Sequence, residues 1–214
     1  MERNLLKLYL VTDSGICGAA SLENVVAEAV AGGVTMVQLR EKTMCTRDFV
    51  KTACRLSALL RPRHIPLIIN DRVDVALACN ADGVHLGQSD MPYETARLLL
   101  GPHRIIGLSV ECPDDVVKAN SMDVDYIGAS PVFATPTKSD TAEPLGLDGL
   151  KRVVELSVHP VVAIGGMNAA TVPGVMECGA DGVAVVSAIM GASSPRESAA
   201  AISKLVENGT IQTL

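Results

Sequence analysis

Aromatic residues are almost absent: two Phe, three Tyr and no Trp in 214 residues. A core without large rings must be filled by Val, Ile, Leu, Ala and Met. That suits a tightly wound α/β interior and disfavours an aromatic-rich β-sandwich. Long apolar runs are absent too; none approaches the roughly 20 residues that cross a bilayer. Residues 1–6 lack the apolar stretch and cleavage site of a secretory signal. The chain is therefore expected in the cytoplasm, away from membranes. A basic excess is also missing, with 18 Lys and Arg against 24 Asp and Glu and a net charge of −6. Nucleic-acid surfaces need basic patches, so no nucleic acid is expected and any anion site must be local. The cysteines (Cys17, Cys45, Cys54, Cys79, Cys112, Cys178) form no CxxC pair and are scattered as in reduced proteins. Too few His and Cys stand at ligand spacing for zinc.

What is present is alternation. Apolar, β-branched runs are expected as strands at 6–12, 35–39, 67–69, 83–86, 105–108, 126–128, 161–164 and 183–186. Helix-compatible spacing fills 21–31, 47–60, 73–79, 93–100, 113–120, 147–155, 170–178 and 198–208. Ser21 with Asn24, and Pro113-Asp114-Asp115, read as helix starts. Strict alternation implies parallel pairing, and eight units imply a closed (β/α)8 TIM barrel over residues 1–214. A degenerate repeat supports this. Ala31-Gly32-Gly33-Val34, Ala81-Asp82-Gly83-Val84, Asp123-Val124-Asp125-Tyr126 and Ala180-Asp181-Gly182-Val183 each run into an even-numbered strand. Gly there ends a helix, and Asp can bond the backbone of a tight loop. These positions fall at the stable bottom of a barrel, so their value is topological.

Barrel active sites lie at the C-terminal strand ends. The second strand ends in Gln38-Leu39-Arg40-Glu41-Lys42. Side chains alternate along a strand, so Gln38, Arg40 and Lys42 share one side and form a cationic wall for an anion. The third strand ends in Asn70-Asp71, the fourth leads through His85 and Gln88 to Asp90, and the fifth ends in Ser109. The seventh ends in Gly165-Gly166 and the eighth in Val186-Ser187. Between the sixth strand and its helix runs the longest irregular stretch, 130–146, a candidate lid carrying Thr135, Pro136, Thr137 and Lys138.

Two anion sites emerge. Asp71 and Asp90 are a carboxylate pair of the kind that holds Mg2+ with substrate oxygens, although each could equally cap a following helix. With Arg40, Lys42 and Lys138 they suit a metal-bound diphosphate. Gly166 with Val186-Ser187 offers uncharged backbone and suits a monophosphate, although a Gly pair can also serve a tight turn alone. His85 reads as a packed or supporting histidine.

From Leu8-Tyr9-Leu10-Val11-Thr12-Asp13 to Val185-Val186-Ser187-Ala188-Ile189, the chain resembles the thiamine-phosphate synthase (thiamine-phosphate pyrophosphorylase) family. Its motifs are Gln-Leu-Arg-Glu-Lys at 38–42, Asn70-Asp71, His85-Leu86-Gly87-Gln88 with Asp90, Gly107-Leu108-Ser109, Thr135-Pro136-Thr137-Lys138 and Gly165-Gly166, all in order. The resemblance implies joining of a hydroxymethylpyrimidine diphosphate to a thiazole phosphate, with or without an additional carboxylate. The products would be thiamine phosphate and diphosphate. It implies that Gln38, Leu39, Arg40, Glu41, Lys42, Asn70, Ser109 and Lys138 bind the pyrimidine diphosphate, and that Asp71 and Asp90 hold Mg2+. Thr135, Pro136, Thr137, Gly166, Val186 and Ser187 would bind the thiazole phosphate. Arg40, Ser109 and Lys138 would carry the catalysis, in a monomer or small homo-oligomer.

The chemistry fits these residue types. Diphosphate departure separates charge, which cations and Mg2+ stabilise. Attack by the thiazole nitrogen is a matter of positioning, so Ser109 reads as a hydrogen-bonding group. A thiazole tautomerase-like barrel would not need Asp71, Asp90 and Lys138 together. A phosphosugar isomerase would need a clear acid/base pair. A non-catalytic barrel would not need polar tips on seven strands.

Overall fold

Short branched-apolar runs give eight strands: β1 (Leu8–Val11), β2 (Met36–Leu39), β3 (Leu67–Asn70), β4 (Gly83–Leu86), β5 (Ile105–Val110), β6 (Tyr126–Ala129), β7 (Val161–Ile164) and β8 (Gly182–Val185). In the computed structural model they pair in parallel, each with its sequence neighbour, and β8 closes on β1. The structure describes residues 1–18, 20–135 and 143–211, with side chains through 209. The helices are α1 (Leu22–Ala31), α2 (Thr46–Leu60), α3 (Val73–Cys79), α4 (Tyr93–Leu100), α5 (Pro113–Ala119), α6 (Gly146–Leu156), α7 (Val172–Glu177), α8 (Ser187–Met190) and α9 (Pro195–Ile211). The expected (β/α)8 barrel is therefore the fold. Among the described residues, no helix is long and apolar enough to cross a membrane.

Alternation divides the core in two. Outward side chains such as Leu8, Leu10, Val37, Leu39 and Ile69 pack under the helices. Inward ones, Tyr9, Val11, Met36, Ile68, Tyr126, Val162 and Ala184, fill the barrel with Leu6.

The repeat before the even strands acts as a set of backbone clamps. Asp82, Asp125 and Asp181 each accept through Oδ2 from the first or second amide of the preceding strand: Leu67 at 2.8 Å, Ile106 at 2.9 Å and Val161 at 2.8 Å. Each also donates its own N–H to that residue's carbonyl. Before β2 the same place is held by Thr35, whose Oγ1 accepts from Leu8 N at 3.0 Å while its N–H donates to Leu8 O. Asp82→Ala is expected to lower stability by about 1.5–3 kcal/mol, the range for losing a hydrogen bond to a charged group, with turnover unchanged. A urea titration beside an activity assay checks both.

Several boundaries differ from the sequence expectation. Arg3–Leu6 form a 3-10 turn whose last residue, Leu6, plugs the bottom of the barrel, and this shortens β1 from the expected 6–12. β5 runs on to Val110, so Ser109 stands on the strand rather than beyond it. The helix expected at 170–178 is Val172–Glu177, because Asn168 Oδ1 accepts from Ala170 N and Asn168 N donates to Thr171 Oγ1 in a closed turn. Four-residue α8 has no full period to detect, and α9 starts earlier than expected, at Pro195. Ser21 does cap α1, its hydroxyl accepting from Asn24 N at 3.3 Å.

Candidate active site

The polar strand tips converge on one cavity of about 430 Å³ at the C-terminal mouth of the barrel. Gln38, Arg40 and Lys42 line it, as alternation requires, and Leu39 and Glu41 do not. Leu39 is fully buried under the helices. Glu41 accepts from Ser14 Oγ at 2.9 Å, and its buried Oε1 has no hydrogen-bond partner among the described residues. Burial pushes the Glu41 carboxyl up; the Ser14 bond and Arg40 pull it back and Asp13 adds to the rise. The strand's period of two thus turns the Leu39 and Glu41 side chains away from the cavity that Gln38, Arg40 and Lys42 line. Arg40 is steadied at its backbone by Thr12 Oγ1 (3.1 Å) and at its guanidinium by Asp13 (3.9 Å).

Across the mouth Asn70, Asp71 and Asp90 line the same cavity. Asp71 has φ 62, a left-handed conformation that costs a non-glycine residue energy and is typical of functional sites. Its N–H donates to His85 O at 2.9 Å. Neither aspartate caps a helix: the N-cap of α3 is Arg72 and that of α4 is Pro92. Asp90 Oδ2 instead accepts from Gly87 N at 2.7 Å. Burial, then the neighbouring Asp71 carboxylate, push the Asp90 carboxyl up. Lys42 Nζ lies 2.7 Å from Asp71 Oδ2. Two crowded carboxylates with a cation already on one of them form a donor set that fits a divalent metal. No third carboxylate, His or Cys joins them among the described residues. A metal here would complete its coordination with ligand oxygens and water, as Mg2+ does.

The opposite rim is backbone. Gly165 and Gly166 have φ 99 and 69. A Cβ on Gly165 would lie 2.7 Å from Pro131 Cβ, and one on Gly166 2.8 Å from Phe133 Cβ. The segment after β6 lies against this tip, with Val132 N donating to Ile164 O and Phe133 N to Gly165 O. Glycine is required here by approach as well as by φ. Val186 precedes α8, whose first amides have no intrahelical partner. Thr135, Gly166, Val186 and Ser187 all line the cavity. Pro136, Thr137 and Lys138, with the centre of the 130–146 stretch, lie outside the described residues. The ends of that stretch are joined by Leu145 N to Pro131 O and Gly146 N to Val132 O, both at 2.9 Å.

On the cavity floor His85 and Ser109 of the strand-tip motifs are joined by two tyrosines that those motifs do not contain. Tyr9 and Tyr126, two of the three tyrosines, stand inside the barrel and line the cavity with His85 and Ser109. His85 Nδ1 lies 2.9 Å from Tyr126 Oη and its Nε2 2.9 Å from Ser109 Oγ. Gln88 Nε2 donates to Ser109 O at 2.6 Å. The signal in the sequence was a tyrosine at an inward register position in an otherwise aliphatic strand.

A family model described as thiamine monophosphate synthase matches residues 8–189. A thiamine-phosphate synthase of Albidiferax ferrireducens is 54% identical over 202 residues, 94% of this chain and 92% of that protein. One from Vibrio parahaemolyticus is 49% identical over 204 residues, covering 95% of this chain and 100% of that one. The solved thiamine phosphate pyrophosphorylase of Pyrococcus furiosus superposes with a TM-score of 0.89 at 41% identity, covering 97% of this chain and 98% of that one. A 3-hexulose-6-phosphate synthase of Salmonella typhimurium, at 17% identity and TM-score 0.71, covers 95% of this chain and 100% of that one and shares the fold.

Proposed function

This chain belongs to the thiamine monophosphate synthase family, whose members are transferases, and we propose that it joins a hydroxymethylpyrimidine diphosphate to a thiazole phosphate, releasing diphosphate. The observation that carries the reading is the pair of unlike anion sites in one cavity. One side has Arg40, Lys42 and the Asp71–Asp90 pair; the other has the Gly166 backbone and the start of α8.

The pyrimidine diphosphate lies against Gln38, Arg40, Lys42, Asn70 and Ser109. Asp71 and Asp90 hold Mg2+, which when bound neutralises charge on the diphosphate. The carbon–oxygen bond to diphosphate breaks, and the aminopyrimidine carries the resulting cation. Arg40 and Lys42 stabilise the negative charge gathering on the departing oxygens. Lys138 is assigned the same task by its place in the Thr135-Pro136-Thr137-Lys138 motif. The thiazole nitrogen then bonds to the freed carbon, its phosphate anchored by Gly166 and Val186-Ser187. The barrel's contribution to this step is alignment, worth several orders of magnitude when the reacting atoms are held close. No protein nucleophile is needed, so Ser109 donates a hydrogen bond. We place the reaction in the cytoplasm, with no nucleic-acid or membrane partner, in a monomer or small homo-oligomer.

Incubating the protein with both substrates and Mg2+ tests this: thiamine phosphate and diphosphate should appear in equal amounts, and absence of product overturns the reading. Lys42 gives a sharper check. Its ammonium competes for Asp71, so Lys42→Gln should tighten Mg2+ binding to the free protein several-fold while weakening the diphosphate substrate. Calorimetry with Mg2+ alone, then with substrate, reads both.

A further inference from the structure

The polar groups on the cavity floor form one chain across five strands. Gln38 Nε2 donates to Tyr9 Oη at 2.8 Å, and Tyr9 Oη lies 2.9 Å from Tyr126 Oη. Tyr126 leads to His85 Nδ1, and His85 Nε2 to Ser109 Oγ. Both tyrosines are buried, and burial drives both phenols well above their ordinary range. They stay neutral, with one proton each to give.

One direction gives each phenol and imidazole proton an acceptor within this chain. In it Tyr9 accepts from Gln38 and gives its own proton to Tyr126, the hydroxyl 2.9 Å away. Tyr126 in turn gives its proton to His85 Nδ1. The imidazole proton then sits on Nε2 and is donated to Ser109 Oγ. The Ser109 proton is left to point into the cavity. The Gln38 link cannot reverse, since an amide nitrogen only donates; reversing the Tyr9–Tyr126 link would leave the Tyr9 proton without an acceptor in this chain. The rings are set for this: they stack at 5.5 Å, and a Cβ on Gly107 would lie 2.1 Å from Tyr126 Cζ. Gly107 thus keeps open the slot through which the phenol reaches His85.

We propose that Tyr126, backed by Tyr9, is a positioning residue that holds His85 as its Nε2–H tautomer and so commits the Ser109 hydroxyl to donate into the cavity. The proposal rests on the reading that Ser109 faces the pyrimidine diphosphate. There a committed donor meets oxygens that gain negative charge as the bond breaks, and it needs no reorientation at that moment. A merely structural role for the tyrosines would be met by either direction of the chain. Each direction specifies a different tautomer, and only the Nε2–H one leaves the Ser109 proton for the cavity.

The test begins on ligand-free protein labelled with 15N-histidine, which contains four histidines. His85 is assigned by its loss in His85→Gln. The expected spectrum shows His85 Nδ1 as an unprotonated nitrogen that accepts a hydrogen bond, and Nε2 as protonated. A protonated Nδ1 overturns the proposal, whatever the variants do and whether or not the proposed reaction holds. Tyr126→Phe keeps the ring and removes the donor. It should mix the His85 tautomers and lower kcat about 30-fold, below the 10²–10³ of deleting a transition-state donor outright, with KM for thiazole phosphate unchanged. Tyr9→Phe, which leaves the Tyr126–His85 link, should cost less. A Tyr126→Phe protein that keeps both the wild-type tautomer and kcat within twofold also overturns it. Wild-type turnover of the two substrates tests the underlying reaction separately.

Discussion

Replacing Asp71 by alanine is expected to lower Mg2+-dependent turnover by about 10³-fold or more, since a metal ion stabilises a charge-separating transition state by several kcal/mol. The barrel should stay folded. Asp71 is held in a left-handed backbone conformation at the end of β3, and its side chain caps nothing. Alanine at φ 62 is no less strained than aspartate, so a small loss of stability is expected beside the large loss of activity. The substitution also removes the Asp71 carboxylate that helps push Asp90 up, and it frees Lys42 from its 2.7 Å contact. The Asp90 carboxyl should therefore titrate nearer its ordinary range in the variant. Circular dichroism, Mg2+ calorimetry and steady-state kinetics separate the three effects. Full activity in this variant would remove Asp71 from the metal assignment.

Gly182→Ala should damage the fold and not the chemistry directly. A Cβ at the start of β8 would lie 1.9 Å from the Leu6 carbonyl oxygen and 2.5 Å from its carbon. Those are backbone atoms where β8 closes on β1, so they cannot rotate away as a side-chain tip can. Overpacking of this kind costs about 3 kcal/mol, and here it falls on the seam of a closed sheet. The urea midpoint should drop accordingly. Gly174→Ala is the matched control, since in α7 its Cβ meets only the tip of Leu147, at 3.3 Å. Alanine is favoured over glycine in a helix by roughly 0.5–1 kcal/mol, so that variant should be as stable as the parent or more so. Equal loss in both would mean that Gly182 is not held by the seam.

The parts of this molecule written in short-range pattern were legible in the sequence. Strand alternation and order follow from β-branched runs spaced by helical ones. The side to which Gln38, Arg40 and Lys42 point follows from a period of two, and so does the turning away of Leu39 and Glu41. The bottom clamps were half legible. Asp82, Asp125 and Asp181 announced themselves by residue type, whereas Thr35 does the same task without an aspartate. What was not legible depends on groups meeting from distant strands. Tyr9 and Tyr126 are 117 residues apart and joined at their hydroxyls, and no local pattern carries that contact. Whether Asp71 caps a helix or faces the mouth was likewise open until the N-cap of α3 fell at Arg72. Helix α8 is too short to leave a period, although the tip it continues was already marked by Val186-Ser187.

In the proposed reading one mouth holds two anion sites of different construction, one on the Asp71–Asp90 carboxylates that would hold Mg2+ and the other on uncharged backbone. The most direct measurement is calorimetric titration of each substrate alone, with Mg2+ and then with EDTA. The pyrimidine diphosphate should lose most of its affinity when Mg2+ is removed, while the thiazole phosphate binds as before. Equal dependence of both substrates on Mg2+, or of neither, would contradict it.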